Sequence, residues 1–328
     1  MSVALTKSRL SNALRCYGNY ALSLFGLVRI THMPTFVSVE PANICQLRCP
    51  ECPVGMRGEK LEVNGERLMS REVWRKMLQE VAPYAHTIQF YFQGEPLLNK
   101  DLPKMIAEAH EAGLYTIVST NAQALTPELA ESLVTSGLSR IIISMDGLTE
   151  ESYNAYRIGG SLEKTKAALR YLREAKEKKL SPFAFHLSPL IELQCLRLKT
   201  NEHEWKAFEK QYKSLGADRL VFKTAQLYDY SHGHPLMPSN SRYSRYIQDE
   251  DGLFHRKKRA RGCLRAWSGV VITTTGDVLP CCYDKAHSYA YGNITNTPLK
   301  ELFGNEKAIA FRRAALQEQP EICKECWR

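Results

Sequence analysis

Three cysteines near the start of the chain have a spacing that is typical of a metal cluster. Cys45, Cys49 and Cys52 form a C-x3-C-x2-C pattern directly after the first predicted strand. A structural zinc site uses four ligands, and this loop contains no fourth cysteine or histidine. Three thiolates suit a [4Fe–4S] cluster that keeps one iron without a protein ligand. The pattern therefore predicts a cluster whose open iron binds another molecule.

A second set of cysteines lies near the end of the chain. Cys263, Cys281, Cys323 and Cys326 follow one another at steps of 18, 42 and 3 residues. Four cysteines hold either a zinc ion or an iron–sulfur cluster, and the spacing leaves both open. Cys282 directly follows Cys281 and is an alternative ligand, because neighbouring cysteines are not separated by spacing.

The elements that position these cysteines read as alternating strands and helices. Thr126 before Pro127 predicts a helix start, Gly113 predicts a helix end, and Leu162, Leu169 and Leu172 form a core stripe. About six strand–helix units predict a parallel sheet, as an open barrel or a doubly wound sheet. The predicted strands are Thr35–Glu40, Thr87–Phe92, Tyr115–Ser119, Arg140–Ser144, Phe183–Leu187 with an extension over Ile191–Cys195, and Arg219–Lys223.

Short polar motifs end the second, third and fourth of these strands. They are Gly94-Glu95-Pro96, Ser119-Thr120-Asn121 and Ser144-Met145-Asp146-Gly147, and Arg157 follows in Tyr156-Arg157-Ile158-Gly159-Gly160. In this order behind the cysteine triplet, they resemble the motifs of radical SAM enzymes, and the resemblance covers about 35–225. Two positions depart from the family pattern. Gln93 replaces the first glycine of its GGEP motif, and Glu51 stands where an aromatic or apolar residue usually precedes the third cysteine.

This resemblance implies a partial (β/α)6 barrel of the TIM type, whose cluster loop follows the first strand. The open iron of such a cluster binds S-adenosylmethionine (SAM), and its reductive cleavage yields a 5′-deoxyadenosyl radical. By the resemblance, Arg157 is placed like an arginine that pairs with the methionine carboxylate, and Ser119 to Asn121 lie like the ribose-contacting segment. The implied cofactor contacts are Gly94, Glu95, Pro96, Ser119, Asn121, Ser144 and Arg157, and the implied cluster ligands are Cys45, Cys49 and Cys52.

The second cysteine set resembles the SPASM/twitch extension of radical SAM enzymes. That resemblance implies a small α+β domain in which Cys263, Cys281, Cys323 and Cys326 hold one auxiliary [4Fe–4S] cluster. Val270–Thr273 and a turn at Gly276 predict a hairpin inside it, and Leu299, Leu302 and Phe303 predict a packed helix. The expected division is an N-terminal helical extension at 1–34, the barrel at 35–228, a polar and basic connector at 229–262, and the auxiliary domain at 263–328.

The reaction implied by the twitch-type resemblance is a two-electron oxidation of a small molecule or sugar. Hydrogen abstraction would be followed by deprotonation and by electron transfer to the auxiliary cluster. The alternative is a peptide-modifying SPASM maturase, although the 34 residues before the first strand are few for a leader-binding domain. By position, His186, Glu192, Lys223 and Arg265 are candidate bases or substrate contacts, and none is assigned as the catalytic base.

The charge of the chain predicts an anionic partner. The sequence contains 44 basic and 35 acidic residues and carries a net charge of +9. We expect a small-molecule substrate that is anionic, and an electron donor such as a flavodoxin or ferredoxin. A distant alternative is a zinc-stapled nucleic-acid-binding protein that uses the basic run 256–261. Because no nucleic-acid motif accompanies this run, we expect no nucleic-acid partner.

The first thirty residues raise the question of a membrane. No run of eighteen apolar residues exists, and no cleavage site follows the apolar stretch Tyr20 to Ile30. With Lys7, Arg9 and Arg15 nearby, the segment is either an amphipathic helix packed on the body of the protein or an interfacial helix that makes peripheral membrane contact. Ten cysteines favour metal ligation in a reducing compartment, so we expect a cytoplasmic protein.

Overall fold

The strands predicted between residues 35 and 223 form one parallel sheet. The computed structural model describes residues 6–57, 67–179, 189–257, 262–317, 319–324 and 326. The predicted strand Phe183–Leu187 and His186 lie outside the described residues, whereas the proposed extension at Ile191–Cys195 falls within the fifth strand. The six strands are β1 Phe36–Val39, β2 Thr87–Phe90, β3 Tyr115–Thr120, β4 Arg140–Ser144, β5 Leu190–Arg197 and β6 Arg219–Thr224.

Helices connect these strands, and their ends follow local capping rules. The Thr126 hydroxyl accepts the Leu129 amide and Pro127 takes the first helical position, as predicted. The predicted stripe of Leu162, Leu169 and Leu172 is buried in the hydrophobic core. The helices are α2 Pro53–Arg57, α3 Arg71–Val81, α4 Leu102–Glu111, α5 Pro127–Thr135, α6 Glu150–Asn154, α7 Leu162–Lys178 and α8 Trp205–Gln211.

The six parallel strands form a barrel that does not close. They pair in chain order from β1 to β6, but the other edge of β1 pairs with a strand from the end of the chain and not with β6. This is the α/β architecture of a partial TIM barrel, and it confirms the predicted fold class. Because all six strands are parallel, their carboxyl ends lie at one rim, where barrel enzymes build their sites.

The C-terminal region continues the barrel sheet. Its first strand pairs in parallel with β1, with Gly269 opposite Phe36. A hairpin turn then returns the chain antiparallel to that strand, and this hairpin is the one that the sequence predicted. A separate antiparallel pair, β7 Tyr246–Gln248 and β8 Phe254–Arg256, lies between β6 and this region. The remaining elements are α9 Leu264–Ser268, β9 Gly269–Ile272, β10 Asp277–Leu279, β11 Gly292–Asn293, α10 Leu299–Gly304, α11 Glu306–Leu316 and α12 Glu321–Lys324.

The N-terminal segment is a helix, α1, that spans Lys7–Ser23 and packs beside α9. The apolar stretch from Tyr20 to Ile30 is therefore not one helix, because the helix ends at Ser23 and a turn follows at Gly26. In the part of the chain that the structure describes, no helix is both long and apolar enough to cross a membrane.

Candidate functional site

The loop after β1 carries the first three cysteines to the carboxyl rim of the barrel. Cys45, Cys49 and Cys52 all line one cavity of about 290 Å³, together with residues from the ends of β2, β3 and β4. Cys49 is buried and the other two are partly buried. A Cβ on Gly55 in α2 would lie 2.4 Å from the Cys49 carbonyl oxygen, so glycine lets this helix pack directly on the loop.

Hydrogen-bond donors surround the sulfur atoms of this first set. The Leu47 amide and the Asn121 side-chain amide donate to Cys45 Sγ at 3.4 and 3.3 Å. Burial raises the pKa of the Cys45 thiol to about 12, and burial also raises the pKa of Cys49. Without a metal these thiols stay protonated at neutral pH, but the donors that point at them suit thiolate sulfur. The three residues therefore fit a cluster with three cysteine ligands.

The Gly94-Glu95-Pro96 motif joins the cluster loop to the barrel. Gly94 has φ +65°, and a Cβ there would lie 2.3 Å from the Ala42 carbonyl oxygen. Only glycine combines this backbone conformation with so close an approach. The Glu95 amide then donates to the Ile44 carbonyl at 2.8 Å. Of the three motif residues, Gly94 and Glu95 line the cavity, whereas Pro96 does not and instead begins a 3₁₀ turn over Pro96–Leu98.

Glu95 is one of the implied cofactor contacts, but its carboxylate already has three protein donors. It accepts the Thr120 hydroxyl at 2.5 Å, the Asn121 amide at 2.8 Å and the Leu97 amide at 3.1 Å. Burial raises the pKa of this carboxyl, and these bonds act against that rise. The main role that this geometry supports for Glu95 is to tie the ends of β2 and β3 together at the cavity.

The structure brings the remaining polar motifs to the same cavity. Ser119, Asn121 and Ser144 line it from the ends of β3 and β4. The Asn121 side chain is held by Gln46, whose amide donates to Asn121 Oδ1 at 3.2 Å. Sequence reasoning missed Gln46, because a glutamine inside a cysteine loop has no motif of its own.

Arg157 lines the cavity beside Cys49, but it has a protein partner that was not predicted. Its Nε donates to Asp146 Oδ2 at 2.6 Å, and its Nη1 lies 3.9 Å from Cys49 Sγ. Burial disfavours the Arg157 charge, yet Asp146 and Cys49 outweigh burial and raise its pKa well above the usual value. Asp146 therefore fixes a permanent cation beside a cluster cysteine.

The second cysteine set is assembled by short elements around the β9–β10 hairpin. Cys263 precedes α9, Cys281 follows β10, Cys323 lies in α12, and the Cys326 amide donates to the Cys323 carbonyl. Burial raises the pKa of Cys281, and the nearby Cys282, Cys263 and Cys323 raise it further. Cys281 is partly buried, whereas Cys282 is exposed. This placement favours Cys281 over Cys282 as the ligand.

No three histidine, cysteine or acidic side chains among the described residues converge to hold a single metal ion. A [4Fe–4S] cluster places its cysteines on different irons, so its ligands need not converge on one point. This finding therefore concerns single-ion sites among the described residues and is compatible with a cluster at either cysteine set.

The three charged candidates that the structure describes differ in their surroundings. Glu192 is fully buried and accepts from Arg140 at 2.6 Å. The Arg265 guanidinium lies over the Phe36 ring, 3.8 Å from its centre, and Lys223 is exposed on the edge strand β6. These positions leave the catalytic base unassigned.

Two residues that line the cavity connect it to the C-terminal region and the connector. The backbone carbonyl of Lys285 accepts a hydrogen bond from the Gln93 side-chain amide at 3.0 Å, and the Nζ atom of Lys285 donates to the Tyr228 hydroxyl at 2.8 Å. Glu51 accepts the Tyr228 amide at 2.6 Å, and its carboxylate lies 3.2 Å from His234 Nε2. The departure at Glu51 is thereby explained, because this side chain holds the connector against the cluster loop.

An open barrel with three cysteines at its carboxyl rim and a polar cavity beside them is the arrangement expected of an iron–sulfur enzyme. Residues 39–185 match the family model of the radical SAM superfamily, and residues 263–327 match that of SPASM, an iron–sulfur cluster-binding domain. The chain contains a radical SAM domain and a SPASM domain. These domains imply a [4Fe–4S] cluster, SAM and auxiliary iron–sulfur clusters. For the second cysteine set, an iron–sulfur cluster therefore replaces the zinc ion as the implied metal group.

Similar proteins differ in what their names say they make. An AdoMet-dependent heme synthase from Methanosarcina barkeri is 24% identical over 92% of this chain and 89% of its own. A PqqA peptide cyclase from Bradyrhizobium diazoefficiens is 28% identical over 76% of this chain and 67% of its own. The solved structure of anSMEcpe with bound AdoMet aligns with a TM-score of 0.63 and 19% identity, covering 86% of this chain and 84% of that one. This last likeness confirms the fold.

Proposed function

We propose that this protein oxidises an anionic organic substrate by two electrons, in the cavity between its two cysteine sets. When bound, SAM and its cluster supply a 5′-deoxyadenosyl radical that takes a hydrogen atom from the substrate, and an auxiliary cluster supplies an acceptor for the electron that the substrate radical loses with a proton. The roles proposed for this chain's residues are to hold both groups, orient the substrate and keep water away.

The observation that carries the proposal is that residues of both regions form one cavity wall. Lys285 stands four residues after Cys281 in the chain, and it lines the same cavity as Cys45, Cys49 and Cys52. Tyr91 lines that cavity too. Burial, and then the nearby Cys282, raise the pKa of its hydroxyl to about 12.

A lysine at this wall supports an anionic substrate. Lys285 Nζ donates to the Tyr228 hydroxyl and to Gln226 Oε1, both of which are neutral. A lysine whose described hydrogen-bond partners are neutral is available to pair with an incoming carboxylate or phosphate.

A second candidate function is the modification of a peptide, and one cavity favours it. A cavity of about 640 Å³ lies on the connector and is lined by residues that include His234, Met237, Tyr246 and Phe254. His234 lines this cavity, and its Nε2 lies 3.2 Å from a carboxylate oxygen of Glu51, which lines the cysteine cavity, so this pair links the walls of the two spaces. A peptide bound along the connector would reach the cysteine cavity past this pair. The name of the PqqA peptide cyclase fits this alternative.

The test follows a deuterium label through the reaction. Reconstituted holoprotein is given SAM, a reduced flavodoxin or ferredoxin, and small-molecule or peptide fractions from deuterated cells. We expect deuterium in deoxyadenosine with the small-molecule fraction, and a product that has lost two hydrogens. Transfer only from the peptide fraction would favour the second candidate, and no transfer from either fraction would overturn both.

A variant separates abstraction from oxidation. Cys281→Ala should still transfer deuterium to deoxyadenosine, but it should not form the oxidised product, while Cys282→Ala should do both. If Cys281→Ala forms product as the wild type does, the oxidation through the second cysteine set is wrong.

The proposed compartment is the cytoplasm, where ten free cysteines stay reduced.

A further inference from the structure

Helix α1 presents its polar side to the protein and its apolar side to solvent. The residues that it buries are Arg9, Asn12, Cys16, Asn19 and Ser23. The large apolar residues that it and the following turn expose are Leu10, Leu14, Tyr17, Leu24, Phe25 and Leu27, which we call the apolar stripe. A helix that only covers a hydrophobic core has the opposite arrangement.

Specific hydrogen bonds fix the polar side of α1 inward. The buried Arg9 guanidinium donates to the Ala82, Ala112 and Gly113 carbonyls, which lie at the C-terminal ends of α3 and α4. Asn12 donates to the Met33 carbonyl at 3.0 Å and accepts the Met33 amide at 2.8 Å. Cations and amides at helix C-termini satisfy carbonyls that have no partner within the helix. The orientation of α1 is therefore built in, and the apolar stripe stays outside.

The stripe is continuous and large. Leu14, Phe25 and Leu27 have 66%, 85% and 62% of their surface exposed. At 100° per residue, Leu10, Leu14, Tyr17 and Ala21 fall on one side of α1. The helix ends at Ser23. Leu24, Phe25 and Leu27 follow in the turn at Gly26, which has φ +87°, and the Leu27 amide donates back to the Leu22 carbonyl. Eleven large hydrophobic side chains are exposed among the described residues, and six of them belong to this stripe.

The charge around the stripe selects its partner. The first 39 residues contain no acidic residue, and Lys7, Arg15 and Arg29 are exposed around the stripe. Pairing two copies of this face would bring six cations together with no acidic residue of the segment to balance them. An anionic lipid surface instead accepts apolar side chains and attracts lysine and arginine.

We propose that α1 and the turn after it dock the protein on the surface of a membrane that contains anionic phospholipids. The apolar stripe enters the boundary between headgroups and acyl chains, and Lys7, Arg15 and Arg29 contact the phosphate groups. This contact is peripheral and reversible. It brings the enzyme to the membrane without a spanning segment.

The test uses full-length holoprotein and co-sedimentation with vesicles of phosphatidylcholine, alone or mixed with phosphatidylglycerol. We expect binding to the mixed vesicles, weakened by salt. The Leu14→Ser/Phe25→Ser variant should bind at least about tenfold more weakly than the wild type. Lys7→Gln/Arg15→Gln/Arg29→Gln should lose the preference for phosphatidylglycerol. The control Ile247→Ser, which removes an exposed apolar side chain on β7, should bind as the wild type does.

Three results would overturn the proposal. The first is no vesicle binding by the wild type, and the second is unchanged binding by Leu14→Ser/Phe25→Ser. The third is a wild-type dimer in sedimentation velocity that this variant converts to monomer, which would make the stripe an interface between copies. Deoxyadenosine formation by the stripe variant should equal that of the wild type, which shows that it folds and keeps the membrane test independent of the proposed reaction.

Discussion

The two cysteine sets of this protein differ in what surrounds them. Cys45, Cys49 and Cys52 line a cavity, and residues from the ends of three strands, β2, β3 and β4, line it with them. Cys263, Cys281, Cys323 and Cys326 line neither of the two described cavities and are enclosed by short elements around one hairpin. Catalytic metal sites keep a position open, whereas structural or electron-transfer sites are closed by protein ligands. We propose from this difference that the first set holds the cluster that binds SAM and that the second set holds one that does not.

The largest expected effect comes from removing the open set. Cys45→Ala/Cys49→Ala/Cys52→Ala should abolish deoxyadenosine formation, and iron should fall from about eight to about four per chain. Iron and sulfide are counted after anaerobic reconstitution. If the variant lost all of its iron, the two sets would depend on each other, and the comparison would fail.

Removing one ligand of the closed set should give the opposite pattern. Cys281→Ala should lose about four irons. It should still cleave SAM when no substrate is present, because Cys281 lies far along the chain from the open set. Cys282→Ala is the matched control and should keep all of its iron, since Cys282 is exposed beside the set. Iron loss in Cys282→Ala with none in Cys281→Ala would exchange the two assignments.

Arg157 tests whether the cation beside the open set matters. Arg157→Met should lower deoxyadenosine formation by about ten- to a hundredfold, because residues that contact metal ligands typically contribute that much. Arg173→Met, which removes an arginine paired with Asp218 outside the cavity, is the control. Equal rates for the Arg157 variant and the wild type would show that Asp146 and Arg157 serve the fold alone.

Gly94→Ala should damage the junction between the cluster loop and β2. A left-handed backbone at a residue with a side chain costs about 1–3 kcal/mol, and the contact with the Ala42 carbonyl adds to that cost. We expect a lower melting temperature and loss of iron from the open set. Gly18→Ala is the control, because a Cβ there meets no atom within 4 Å. A variant as stable as the wild type would contradict this account of the motif.

A change in stability alone is expected at Glu40, which connects the two regions. It is buried at the end of β1 and accepts the Thr274 amide of the hairpin turn. Burial raises its pKa from 4.5 to about 8. The folded protein therefore holds a proton that the unfolded chain has lost, and stability falls as the pH rises from about 4.5 to about 8.

Glu40→Gln should remove this loss, so the variant should gain stability over the wild type between pH 5 and pH 8, by on the order of a few kcal/mol. Urea unfolding across this range measures the difference. A constant difference at every pH would mean that Glu40 is ionised in the folded protein.

The barrel was predictable because its signals are local. β1 to β4 and β6 match their predicted ranges within two residues at each end, and Thr126 caps its helix as expected. Runs of β-branched residues, capping residues and strand-end motifs each act within a few positions of the chain. The order of the motifs behind the cysteine triplet was enough to indicate the family and its cofactors.

The remaining features depend on contacts that are distant in sequence. The pairing of β9 with β1 joins segments more than two hundred residues apart, and no local pattern marks it. The same holds for Glu51 with His234 and for Arg157 with Asp146, whose roles appear only when the chain is folded. The orientation of α1 was also unpredictable, because its polar side faces inward to satisfy carbonyls at the ends of other helices.

The most direct test of the central claim is the electron paramagnetic resonance spectrum of the reduced holoprotein, with and without SAM. The account predicts that SAM changes the signal of one cluster. It also predicts that this change persists in Cys281→Ala and is absent from Cys45→Ala/Cys49→Ala/Cys52→Ala. A SAM-dependent change in the triple variant would show that the second set is also open, and would contradict the difference between the two sites.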